Sequence, residues 1–115
     1  MVEIFRGEIW LVNVDPAIGA EINKTRPAII VSNNINNLYS STVTVVPISD
    51  KGAKVYPVEV LLSSKNIGLN KSSKAKCQQI RTVDKKRLMK KLGAISEEEK
   101  EELKNAIEIH LGIDS

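Results

Sequence analysis

Five short segments rich in β-branched residues occupy the first 83 positions of this chain, at residues 7–14, 27–33, 42–49, 55–62 and 74–83. Nothing of helical length separates them. Parallel neighbours need a crossover of a dozen or more residues, usually a helix. These segments must therefore pair mainly antiparallel. Strands this short and this close predict a small barrel or sandwich.

Turn signals punctuate the segments. Asn33, Asn34, Asn36 and Asn37 form a turn cluster after the second. Pro47 inside the third removes a backbone donor, which predicts a bulge or an edge position. A stretch rich in Ser, Asn and Gly follows the fourth. Helical material comes late. Asp84 is a good N-cap for a short helical turn over 84–91, which Gly93 would break. Ser96 then opens a helix, with Glu99 three residues on completing a capping box. Leu103, Ala106, Ile107, His110 and Leu111 recur at helical spacing as its buried stripe. The expected class is mainly β with α, an SH3-like small antiparallel β-barrel with a C-terminal helix. All of residues 1–115 form a single domain of ordinary size.

Charge is divided along the chain. Residues 1–95 carry 15 Lys and Arg against 7 Asp and Glu, whereas residues 96–115 carry 2 against 7. A basic body beside an acidic end fits a polyanion-binding face. Only four aromatics are present, Phe5, Trp10, Tyr39 and Tyr56. In a nucleic-acid contact, phosphate contacts and hydrogen bonds should then dominate over stacking. No apolar run approaches the length of a membrane span, and the start lacks a signal peptide's apolar core. One cysteine excludes an internal disulfide. A cytoplasmic protein is expected.

The search for chemistry narrows to strand ends. One His and one Cys show no ligand spacing, so neither metal nor cofactor is expected. Cys77 reads as a core thiol and His110 as packing. A mechanism using two histidines is excluded within one chain. No phosphate loop or serine elbow occurs. The remaining polar residues at strand ends are Glu21, Arg26, Ser49, Gln79 and Arg81. Arg26 precedes Pro27, which holds it in extended geometry at a strand entrance. An ordered guanidinium beside an open loop suits an anion, phosphate above all. By themselves these residues leave alternatives open. Arg26 could cap a neighbouring strand, Ser49 could be a turn hydroxyl, and Glu21 could be a solvated loop carboxylate.

Five ordered blocks then carry a resemblance. Arg6-Gly7-Glu8-Ile9-Trp10, Asp15-Pro16 with Gly19-Ala20-Glu21, Thr25-Arg26-Pro27-Ala28, Val46-Pro47-Ile48-Ser49 and Gln79-Ile80-Arg81-Thr82-Val83-Asp84 resemble the MazF/PemK family of toxin ribonucleases. The resemblance runs from about Arg6 to Leu111. It implies a CcdB/MazF-like fold working as a homodimer. It also implies metal-independent, sequence-specific cleavage of single-stranded RNA, mRNA included, within a type II toxin–antitoxin system. Arg26 matches the family's catalytic arginine, Ser49 its catalytic threonine, and Glu21 a carboxylate implicated in some members. Serine keeps the hydroxyl but lacks the methyl group that restricts the threonine rotamer. Ile22 replaces a glutamine common in the family.

The implied reaction uses RNA's own 2′-hydroxyl as nucleophile and leaves a 5′-hydroxyl with a 2′,3′-cyclic or 3′-phosphate end. Lys24, Thr25, Lys51, Lys54, Gln79 and Arg81 would bind RNA, with Lys74 and Lys76 flanking the site. The RNA motif would depend on loops around Asn23, Lys51 and Tyr56. An acidic, MazE-like antitoxin would cover the basic groove, and DNA would be met only through that antitoxin. Two alternatives share the fold. A CcdB-like gyrase poison relies on a terminal Trp-Gly-Ile, where this chain has Leu111-Gly112-Ile113. The other is an inactive RNA-binding module.

Overall fold

The computed structural model describes residues 3–14, 18–21, 24–50, 52, 54–63 and 72–113. Its elements are β1 (Glu8–Asn13), β2 (Thr25–Ile30), α1 (Asn34–Tyr39), β3 (Thr42–Asp50), β4 (Glu59–Leu62), β5 (Ser73–Lys76), β6 (Arg81–Asp84), β7 (Leu88–Ala94) and α2 (Glu97–Leu111). All the strand pairs are antiparallel. The mainly β class with a C-terminal helix is the expected one.

The hydrogen-bonded path runs β4-β5-β3-β2-β1-β7, with β6 also paired to β3. The path itself is open. The chain completes a ring by connectivity, because a three-residue 3₁₀ turn, Lys85–Arg87, joins β6 on β3 to β7 on β1.

Two cores lie on opposite faces of the curled sheet. Ile9, Ile29, Val46 and Ile48 pack with Val60, Leu62 and Cys77 beneath Leu103 and Ala106 of α2. Trp10, Val12, Ala28, Ile30, Val43, Val45 and Val83 fill the ring. Successive residues of one strand serve different cores. That is why these segments read as continuous apolar runs instead of alternating ones. Each fully buried isoleucine among them contributes about 1.5–3 kcal/mol.

Several expected elements differ in detail. The asparagine cluster forms a helix, α1, because the Asn33 side chain accepts the Asn36 N–H and caps it. The fourth strand is only Glu59–Leu62. Pro47 is neither at an edge nor in a bulge. Its strand β3 is central, and the β2 register reaches Pro47, opposite Ala28, without a shift. The Thr44 carbonyl accepts from Val31 on the β2 side. Strand alternation then turns the Pro47 nitrogen to the other side, where β6 pairing has ended at Val45 and β5 pairing has not begun until Ile48. No ladder partner waits there for a missing N–H.

The fifth expected strand is split into β5 and β6 by a 3₁₀ turn, Cys77–Gln79. Both halves pair with β3, but Ala75 faces Ile48 whereas Arg81 faces Val45. The register slips by three residues between these ladders, and the turn absorbs the slip. The expected helical turn over 84–91 shrinks to the 3₁₀ turn that Asp84 caps by accepting the Lys86 N–H. Leu88 onward is then captured by the open edge of β1, and Gly93 lies inside the strand opposite Ile9.

α2 opens with the expected capping box between Ser96 and Glu99. Gly112 closes it in the left-handed conformation. Its buried stripe is shorter than expected. Leu103 and Ala106 are buried and Ile107 is half-buried, but His110 and Leu111 are exposed.

Candidate functional site

The three-residue slip has a geometric consequence. Between the β3–β6 and β3–β5 ladders it leaves a cleft of about 630 Å³. Glu21, Pro47, Gln78, Gln79 and Arg81 line it. Three residues singled out from the sequence, Glu21, Gln79 and Arg81, are thus brought into one cavity from two distant segments.

Arg26 and Ser49 stand on neighbouring strands at the same end. Ala28 faces Pro47 across β2 and β3. The β2–β3 pairing ends there, and Arg26 and Ser49 each lie two residues beyond it on their strands. Alternation puts both on the face of the ring core, where Ala28 and Val45 also point. Arg81 shares that face, since it pairs with Val45 and precedes Val83 by two. The apolar face therefore ends in a polar rim of Arg26, Ser49 and Arg81. Arg26 and Ser49 are half-buried. The Ser49 hydroxyl donates to the Asp50 carbonyl at 3.3 Å.

The β1–β2 loop is held from the opposite wall. Arg81 donates from Nη1 to the Val14 carbonyl at 3.0 Å, and Arg87 donates to the Asn13 carbonyl at 3.1 Å. Gln79 Nε2 donates to the Ala20 carbonyl at 3.2 Å. The Val14 N–H donates to the Lys24 carbonyl and pinches the loop's base, with Lys24 at φ 66°. Glu21 accepts the Ile18 N–H at 2.6 Å, so its carboxylate also stabilises the loop's own turn.

The lysines separate into different groups. Lys24 and Thr25 are exposed at the entrance to β2. Lys54 is exposed and lies over the Tyr56 ring, 4.8 Å from its centroid. Lys76 is half-buried. Lys51, like Ile22 and Asn23, lies outside the described residues. Lys74 does not flank the site as a free cation. It is buried and paired with Glu59 at 2.9 Å.

Glu59 was not recognised from the sequence. One of its oxygens accepts from Lys74 Nζ and the Tyr56 N–H, both at 2.9 Å. The other accepts from Gln78 Nε2 at 2.8 Å. Burial alone would raise its pKa. The hydrogen bonds from Tyr56, Gln78 and Lys74, with the Lys74 charge, overcome that and hold it below the usual carboxylate value. A signal existed: Glu59 is the sole carboxylate in residues 51–83, amid six lysines. Arg87 was also missed; its signal was its place in a basic run otherwise read as helical.

Cys77 is buried, as expected of a core thiol, although it opens the 3₁₀ turn and does not lie in a strand. Desolvation, reinforced by the Glu59 charge, pushes its thiol up to about 12. Among the described residues, no three His, Cys, Asp or Glu side chains gather where they could hold a metal ion. No helix among them is long and apolar enough to cross a membrane.

Comparison with known proteins places these features in context. Residues 5–111 match the family described as PemK-like, MazF-like toxin of type II toxin–antitoxin system. The chain is 43% identical over 113 residues to Endoribonuclease MazF9 of Mycobacterium tuberculosis, covering 94% of this chain and 96% of that protein. It is 40% identical over 114 residues to Endoribonuclease MazF of Staphylococcus epidermidis, covering 97% and 94%. The crystal structure of MazF from Deinococcus radiodurans shares the fold with a TM-score of 0.86 at 24% identity, over 98% of this chain and all of that one. An endoribonuclease in complex with its cognate antitoxin from Mycobacterial species does so with a TM-score of 0.81 at 20% identity, over 97% and 98%.

Proposed function

The chain belongs to the PemK-like, MazF-like family of toxins of type II toxin–antitoxin systems, and from that premise we propose that it is an endoribonuclease that cuts single-stranded RNA without a metal ion. The observation that supports the proposal is that Arg26 and Ser49 lie on adjacent strands, each two residues beyond the Ala28–Pro47 pair, while Pro47 lines the cleft that also holds Glu21.

RNA supplies its own nucleophile. The protein must align the 2′-hydroxyl in line with the leaving 5′-oxygen, accept its proton, stabilise the added phosphoryl charge and allow the 5′-oxygen to be protonated as its bond to phosphorus breaks. Arg26 suits the last task. It stays protonated and can fork onto two phosphoryl oxygens. Ser49 donates from its hydroxyl to the same phosphate. Glu21, whose turn holds it in the cleft, is the carboxylate that takes the 2′-hydroxyl proton. Lys24, Thr25 and Lys54 meet flanking phosphates, and Lys51 joins them from the segment after β3. Gln79 and Arg81 face the bases from the cleft wall.

A cognate antitoxin partners the family's toxins. Here an acidic segment would bind the basic rim and exclude RNA. Self-association into a homodimer belongs to the same proposal. Phe5, Ile35, Leu38 and Tyr39 are exposed around a groove beside α1, and a second copy would bury that apolar surface.

The test is incubation of purified protein with long single-stranded RNA in excess EDTA, followed by mapping of the ends. Cuts at a short recurrent motif, bearing 5′-hydroxyls, are expected. RNA left intact would overturn the proposal.

A further inference from the structure

Tyr56 is one of only four aromatics in the chain, and the residue is 48% exposed just ahead of β4. It belongs to neither core cluster nor to the side chains packed against them. Yet it is held firmly. Its N–H donates to Glu59 at 2.9 Å. Glu59 itself is buried and anchored by Lys74 and Gln78. The ammonium groups of Lys54 and Lys74 lie 4.8 and 5.9 Å from the ring centroid.

The ring is also close to the rim. Lys74 faces Ser49 directly across β3 and β5. Directly facing residues project from the same side of a sheet, so the Lys74 side chain leaves the sheet beside Ser49 and brings its Nζ to 5.9 Å from the Tyr56 ring centroid. Gln78, tied to the same carboxylate, lines the cleft. One buried carboxylate thus fixes an exposed aromatic surface, a flanking cation and a cleft wall in a single unit.

We propose that Tyr56 is the stacking platform of a nucleobase subsite, taking an unpaired base next to the scissile phosphate while Lys54 meets the adjoining phosphate. Every base has a π-face, so such a platform accepts a base of any identity and adds affinity without reading sequence. Glu59 acts here as a positioning residue. The inference rests on the ribonuclease reading for the place of the scissile phosphate, and it adds one stacking contact to a surface expected to rely mainly on phosphate contacts and hydrogen bonds.

The test uses 2-aminopurine, placed one position at a time along a substrate RNA made uncleavable by a 2′-deoxy nucleotide at the mapped cut. Wild-type protein and Tyr56→Phe are expected to quench the probe at one position within about two nucleotides of the cut. Tyr56→Leu is expected to abolish that quench and to weaken binding about tenfold, with KM rising and kcat little changed. Thermal melting of Tyr56→Leu should match wild type, since the ring packs in neither core. Quenching retained in Tyr56→Leu, or lost equally in Tyr56→Phe, would overturn the subsite. Wild-type protein that leaves all RNA uncut would overturn the ribonuclease reading instead. The binding arm, run on unmodified RNA, would still decide the stacking.

Discussion

Arg81 donates from Nη1 to the backbone carbonyl of Val14 at 3.0 Å, across 67 residues of sequence. A side chain expected to face RNA is therefore also a strut that fixes the end of β1, next to the strand carrying Arg26. Arg81→Met should lower stability by about 1–2 kcal/mol, because a partly buried carbonyl loses a charged donor. Activity should fall with it. Urea denaturation of the variant checks this; an unchanged midpoint with lost activity would leave Arg81 a base reader only.

Arg26→Ala should reduce RNA cutting by about 10²–10³-fold, the usual cost of removing one transition-state charge donor. The fold should survive, because Arg26 is half-buried at a rim and not in either core. Circular dichroism and a cleavage time course test both halves. Ser49→Thr keeps a hydroxyl at the same register position, and it should keep cutting. Loss of all cutting would contradict the hydroxyl's role.

Acid should destabilise the protein through two carboxylates. Glu8 and Glu59 are both held below the usual carboxylate value; burial opposes this, but hydrogen bonds and the charges of Lys91 and Lys74 outweigh it. A depressed folded-state pKa contributes stability above the unfolded value, and that stability is lost as pH falls through the folded value. Urea midpoints should fall as pH drops below about 4.5. Glu59→Gln should flatten part of that acid limb. At neutral pH it should cost about 3 kcal/mol, because Lys74 stays buried without its counter-charge.

Gly7 precedes β1 at φ +92°, with its N–H donated to the Ile30 carbonyl and its own carbonyl accepting from Ile95. A Cβ there would press on Lys100 Cε, a flexible tip that can move aside. The backbone angle cannot adjust so easily, since bonds at both ends fix it. Gly7→Ala should therefore destabilise by roughly 1–2 kcal/mol from backbone strain, with little effect on kcat in the protein that remains folded.

The sequence by itself determined what depends on neighbouring residues. β-branched runs spaced too closely for crossover connections settled the antiparallel class, and Ser96 with Glu99 marked the start of α2. Proline beside Arg26 marked a strand entrance, and the five ordered blocks pointed to the family. The tertiary structure alone decided what depends on pairing between distant residues. The open edge of β1 turned residues 88–94 into a strand against the local helical signal. The three-residue slip along β3 split one expected strand and opened the cleft beside Pro47. Glu59 drew Lys74 out of the RNA-facing set and into a buried pair. Spacing along a chain encodes periodicity and caps, but a register is a relation between two strands. Only the folded sheet fixes which residues face each other across it.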